Sequence, residues 1–243
     1  MPHLFVNRPR LTDPTSSKAD LRRNFLWETI NTTVYLVGGI VFVIGSILFF
    51  PALAAYADLG AWIFFGGSLL YLLVTGHDLF EVRRHLQKIV GVKTVWDKLE
   101  FWAALSYTAG SVLFAIGSLL FLSPGALFIA GAWCFVIGSL LFVLGAVINV
   151  LEIVLAKDLI TLQLMNLTAL TFVTGSTLFA VASIPYLMAL NDPADRTTID
   201  AFLAWQYIVG SVLFLAGGVF NYWRACVIMR QEIGAALDVN ATG

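Results

Sequence analysis

Charge is scarce in this chain: Asp, Glu, Lys and Arg make up 12% of its 243 residues, against 59% hydrophobic residues, and the mean hydropathy is +0.87. So little charge cannot clothe a water-soluble core, which excludes an ordinary soluble domain. Cysteine occurs only as Cys134 and Cys226. They belong at opposite membrane faces, which excludes a bridge between them, and each reads as a small apolar filler. There is no Gly-x-Ser-x-Gly elbow, no His-Glu-x-x-His helix, no phosphate-binding Gly-rich loop and no Cys cluster. The chain is therefore expected not to be an enzyme and to need no cofactor and no metal. Alternating polarity is missing as well, which excludes a membrane β-barrel. The basic residues are too sparse for nucleic-acid binding.

What the chain does have is six apolar runs, at about 32–50, 61–79, 101–122, 126–150, 162–184 and 201–223. Each has the ~20 residues that a helix needs to cross ~30 Å of hydrocarbon. The fold class is all-α, a six-helix transmembrane bundle. The polar first 30 residues lack the basic start, apolar middle and cleavage site of a signal peptide, and read as a cytoplasmic leader. Five Lys or Arg precede the first run and five lie between the second and third (Arg83, Arg84, Lys88, Lys93, Lys98), with Lys157, Arg224 and Arg230 on the same side. The opposite loops hold only Arg196. The positive-inside rule then expects an integral protein of the cytoplasmic (plasma) membrane, with six spans and both termini cytoplasmic.

The runs repeat one another. AWIFFGGSLL at 61–70 returns as AWCFVIGSLL at 132–141 and AWQYIVGSVL at 204–213, while VFVIGSIL at 41–48 returns as LFAIGSLL at 113–120 and TFVTGSTL at 171–178. The bundle is thus expected to be three repeated helical hairpins, at 31–85, 101–157 and 158–230, with a cytoplasmic connector at 86–100 and a cytoplasmic tail at 231–243. Paired Gly-Ser motifs stand 22, 21 and 35 residues apart, so the third hairpin is expected to carry a longer external loop. A two-helix unit with Gly-Ser in each helix resembles the YrhK-like family of small membrane proteins. The resemblance implies three tandem YrhK-like units and no defined chemistry.

The Gly-Ser pairs are Gly45-Ser46, Gly67-Ser68, Gly117-Ser118, Gly138-Ser139, Gly175-Ser176 and Gly210-Ser211. Glycines recur seven apart through most of them, which makes one small-residue stripe per helix. They are expected to be packing sites, the glycines allowing close backbone approach and the serine hydroxyls adding association between helices. The conserved spacing also exposes a polar register. Ten residues beyond the serines of the even helices stand Asp78, Asn149 and Asn221, and thirteen beyond stand Glu81, Glu152 and Arg224. Around a pseudo-threefold axis these gather into one ring near the inner membrane boundary. With His77 they form the candidate polar site: His77, Asp78, Glu81, Asn149, Glu152 and Asn221. A second acidic register, Glu28, Glu100 and Asp158, lies 18 residues before the serines of the odd helices and is expected to pair with basic residues of the inner face.

Function follows only coarsely. The chain reads as a structural or interaction protein of the lipid bilayer, its partner another membrane protein or a second copy. The alternative is a small channel or transporter for a proton, cation or small solute through the hairpin interface, past Asp78, Glu81, Asn149 and Glu152.

Overall fold

The computed structural model describes residues 18–89, 92–123, 127–151, 156, 158–188 and 193–241, with side chains described between Phe25 and Gln231 except within 189–194. The helices are α1 (Lys18–Ile47), α2 (Ala57–Lys88), α3 (Val95–Leu120), α4 (Phe128–Leu151), α5 (Leu159–Ser183) and α6 (Pro193–Ala241), with short 3-10 turns at Pro51–Tyr56 and Ile184–Leu187. All six are long and apolar enough to cross a membrane. An α-helix satisfies its backbone hydrogen bonds internally, which is what a chain in hydrocarbon requires. Starts and stops are local. Thr94 and Asp97 form a capping box at the start of α3, Asp158 caps α5 through the Thr161 amide, and Pro51 and Pro185 open the two 3-10 turns because proline cannot continue a helix.

Each helix packs on its sequence neighbours, and α6 returns to α1, so the six form a closed ring. Neighbours run antiparallel. The loops of the three hairpins lie at one end (the hairpin end) and the N-terminus of α1 and C-terminus of α6 at the other (the termini end). At the hairpin end Asp58 accepts hydrogen bonds from the Ser123 amide (3.0 Å) and hydroxyl (2.6 Å), which ties the first hairpin to the second. The outward face is apolar and carries Trp at both ends: Trp62, Trp133 and Trp205 at the hairpin end, Trp27, Trp102 and Trp223 at the termini end, all exposed. Within α6 the 18 residues from Trp205 to Trp223 span ~27 Å, the thickness of a hydrocarbon layer with an aromatic belt at each face.

The inside of the ring is filled by aromatics at seven-residue spacing. In α1 these are Tyr35, Phe42 and Phe49; in α3 Tyr107, Phe114 and Phe121; in the even helices Phe64 and Tyr71, Phe135 and Phe142, Tyr207 and Phe214. They meet across the axis, not only between neighbours. Phe42, Phe114 and Phe179, from α1, α3 and α5, form a triangle of ring centroids 5.7 to 6.4 Å apart, and Phe64 reaches both Phe135 and Tyr207 at 6.2 and 6.1 Å. What is left at the middle of the axis is a void of about 20 Å³.

The glycines do what the sequence leads one to expect. A Cβ on Gly38, Gly45, Gly110 or Gly145 would stand 2.5 to 2.8 Å from the ring of Tyr71, Phe64, Phe142 or Tyr107 on the paired helix. The serines largely do not. Ser46, Ser68, Ser118, Ser176 and Ser211 donate to the carbonyl four residues back in their own helix, and the Ser139 hydroxyl has no hydrogen-bond partner among the described residues. In hydrocarbon the nearest acceptor for a serine hydroxyl is its own helix. Ser46 with Ser211 at 3.4 Å is a cross-helix exception.

The third hairpin is set one heptad away from its expected register. Gly110 faces Gly138 and Phe142, whereas Gly175 faces Gly210 and Phe214. Gly175 therefore occupies the level of Gly110, and the level of Gly117-Ser118 is taken by Ala182-Ser183, both buried. Ser183 shares a 2.8 Å hydrogen bond with the Tyr207 hydroxyl. Counted from Ala182, the third hairpin's spacing to Gly210 is 28 residues. Much of the expected extra loop is thus an additional two turns of helix at the hairpin end.

Candidate functional site

The same seven-residue stripes that carry the aromatics end, toward the termini end, in polar residues. In α2, α4 and α6 the residue seven beyond Tyr71, Phe142 and Phe214 is Asp78, Asn149 and Asn221; in α1 and α3 the residue seven before Tyr35 and Tyr107 is Glu28 and Glu100. All five are buried: Asp78 is 1% exposed and Glu100 and Asn221 are 0%. The structure brings together the three residues expected at one level, on the axis side of their helices. It places them just inside the inner tryptophans, as the count from Trp62, Trp133 and Trp205 implies. Their lateral burial is the new information: these groups do not lie open to the aqueous face.

Around Asp78 the geometry is closely defined. The Asn31 amide nitrogen lies 3.3 Å from both the Asp78 carboxylate and His77 Nδ1, and His77 Nδ1 lies 3.9 Å from that carboxylate. Trp27 stacks on the His77 ring at 6.4 Å, closing the group from outside. Glu28, one turn before Thr32, feels the charges of Asp78, Arg224 and Glu81. Arg224 is 1% exposed. It is the guanidinium of the third hairpin standing where the first has Glu81, and it balances part of the negative charge that α1 and α2 bury. Asn149 donates to the Tyr107 hydroxyl at 3.0 Å. Neither amide atom of Asn221, nor the Thr32 hydroxyl, has a hydrogen-bond partner among the described residues, a configuration that leaves donors and acceptors open at the centre of the layer.

Some expectations are refined. Glu81 is half-buried and belongs to the group; Glu152 lies outside the described residues. The acidic register is not threefold, because the level of Glu28 and Glu100 is taken in α5 by Met165, also buried. Asp158 sits a heptad lower, at the start of α5. There its carboxyl is held below the ordinary range by hydrogen bonds from the backbone and hydroxyl of Thr161. Arg84 is exposed; the basic residue in the field of Glu28 is Arg224 of α6. The candidate set omitted Glu28, Asn31, Thr32, Glu100 and Arg224. A signal for two of them was in the sequence: Glu28-Tyr35-Phe42 and Glu100-Tyr107-Phe114 are one heptad stripe each. Among the described residues no group of three His, Cys, Asp or Glu has the arrangement to hold a metal ion.

A second feature lies on the same axis at the hairpin end, where a cavity of about 380 Å³ opens above the aromatic layers. Arg196 and Asp200 stand at its edge, Nε to Oδ2 3.8 Å, one turn apart on α6.

No curated protein and no solved structure matches the chain. The family model described as YrhK-like protein matches it twice, over residues 26–82 and 97–153, which are the first hairpin with Glu28, Asn31 and Asp78 and the second with Glu100 and Asn149. The third hairpin, with Asn221 and Arg224, lies beyond those two stretches. Residues 26–82 and 97–153 are two tandem units of the YrhK-like family, in a six-helix protein built to lie in a membrane.

Proposed function

We propose that this protein is a small carrier that moves a proton, cation or small solute along the bundle axis, sited in the cytoplasmic membrane with both termini in the cytoplasm. The observation that carries the reading is the burial of three carboxylates, Glu28, Asp78 and Glu100, on the axis of six apolar helices. Ionisable groups inside a membrane are expensive, at least ~2.5–3.5 kcal/mol each on insertion scales, and mark ion and proton pathways. Arg224 offsets one charge. The remaining negative charge is balanced most simply by a mobile proton or cation, and the open amide of Asn221 offers it further ligation. The axis is closed at its middle by the aromatic layers, so passage needs the helices to part, as in a carrier. The dry glycine seams within each hairpin are smooth enough for such sliding.

The test is purified protein in liposomes containing a pH-sensitive dye, under an imposed pH gradient or membrane potential. Wild-type vesicles should respond faster than empty ones, and Asp78→Asn with Glu100→Gln should bring the rate back to that of empty vesicles. No response of the wild type, or the same response in the double variant, sinks the reading.

The filled axis favours one competing reading, a structural or interaction protein whose partner is another membrane protein or a second copy. It predicts no flux and a specific partner recovered by cross-linking in native membranes.

A further inference from the structure

The cavity at the hairpin end is the other mouth of the same axis. Its walls are Phe49, Phe121 and Tyr186 from the odd helices and Phe64, Phe135 and Tyr207 from the even ones. Asp200 continues the inward stripe of α6, seven residues before Tyr207; the corresponding residues of α2 and α4 are Ala57 and Phe128. The third hairpin alone thus puts a carboxylate at this mouth. The volume of about 380 Å³ falls in the range of small-molecule sites.

The two charges at the edge are unequal. The Asp200 side chain is 30% exposed and that of Arg196 68%, so the acid lines the cavity while the guanidinium stays largely in water. Their contact at 3.8 Å is long and solvent-screened, an i, i+4 surface pair of small energy that a competing cation can replace. Aromatic faces are the negative poles of their ring quadrupoles and attract cations, most of all those that shed water easily. A carboxylate above aromatic walls therefore selects a poorly hydrated organic cation. A carboxylate ligand would be repelled by Asp200, and an inorganic cation would not exchange its water for phenyl walls and one acid.

We propose that this cavity binds a lipophilic organic cation, a substituted or quaternary ammonium carrying an aryl or alkyl group. As a statement about cargo the proposal rests on the axial-carrier reading; as a statement about binding it stands on the cavity.

The probe is benzyltrimethylammonium, titrated by calorimetry into the full-length protein in a non-ionic detergent, with phenylacetate as the anion of similar size. Saturable binding of the cation and none of phenylacetate is expected. Asp200→Asn should weaken the cation at least 10-fold. Arg196→Gln, which removes the competing partner of Asp200, should leave affinity unchanged or raise it a few-fold. Absence of saturable cation binding by the wild type, equal affinity in Asp200→Asn, equal binding of phenylacetate, or loss of binding in Arg196→Gln overturns the proposal. Asp78→Asn, at the far end of the axis, should retain the affinity. Binding without flux would sink the carrier reading and leave this site standing; proton flux without binding would do the reverse.

Discussion

Gly110 presents its backbone to the ring of Phe142 so closely that a Cβ there would stand 2.6 Å from Cδ2, with the Gly138 carbonyl oxygen 3.0 Å away. The ring is itself held between Tyr107, Phe114 and Phe214 and has nowhere to retreat. Gly110→Ala is therefore an overpacking substitution, expected to destabilise by ~1–3 kcal/mol. Gly66, on the same kind of helix, has nothing within 4 Å of its would-be Cβ. Gly66→Ala is expected to be neutral or to stabilise by up to ~1 kcal/mol, because alanine loses less backbone freedom on forming helix. Unfolding midpoints in mixed detergent and SDS measure both, and a similar loss at the two positions would refute the seam.

The register of α5 makes a sharper distinction between two serines. Ser176 carries the Gly-Ser motif, yet its hydroxyl bonds only the Phe172 carbonyl of its own helix; Ser183 lacks the motif and reaches Tyr207. Ser176→Ala is expected to change stability by less than ~0.5 kcal/mol, as a substitution away from any cross-helix bond. Ser183→Ala is expected to cost about 0.6 kcal/mol, up to about 1.7, the range of interhelical hydrogen bonds in membranes. Tyr207→Phe should show a similar loss and no further loss when combined with Ser183→Ala. The reverse ranking would restore the motif-based register.

This pair also shows where the sequence was readable. Membrane-spanning helices follow from length and hydropathy alone, and the hairpin repeat follows from AWIFFGGSLL and its echoes because the physical need, a small residue at a close crossing, recurs at fixed spacing. Helix α5 misleads because alanine serves at the crossing nearly as well as glycine: Ala182-Ser183 takes the place, while TFVTGSTL keeps the more recognisable letters one heptad away. The polar layer was legible in depth, from the count between Trp62 and Asp78, but not in lateral position. Whether an acid near a membrane boundary points to water or to the axis depends on the stripe it continues, and the stripe becomes convincing only once Tyr71 and Phe142 are seen to meet rings across the bundle.

Asp158 ties α5 to pH. Its carboxylate accepts from the Thr161 amide at 2.9 Å and the Thr161 hydroxyl at 2.7 Å, and these bonds hold its pKa below the ordinary value. A group whose folded pKa is depressed adds stability above its unfolded pKa, near 3.9, and loses it as pH falls through the folded value. The wild type should thus lose stability on acidification through and below that range, while Asp158→Ala, lower by ~0.5–2 kcal/mol at neutral pH for want of the cap, should lose less. Stability curves at pH 7 and pH 3 for the two proteins provide the check; parallel acid losses would remove Asp158 from the account.

The buried Arg224 makes the strongest demand on the inner layer. It stands 1% exposed in the field of Glu28, on the helix where the first unit would have an acid. Taking away one member of a buried charge group leaves the others without compensation, which is worth ~3–5 kcal/mol where burial is complete. Arg224→Met keeps the length and apolar stem of the side chain and removes only the charge, so most of its loss should be electrostatic. If so, Glu28→Gln, which removes one of the facing carboxylates, should recover part of that loss when combined with Arg224→Met, although each substitution alone destabilises. The double-mutant cycle then shows a coupling well above ~0.5 kcal/mol, the size that separates contacting from independent residues. Additive losses would mean that Arg224 supports the bundle through its stem, and that the three acids are balanced by something other than the third hairpin.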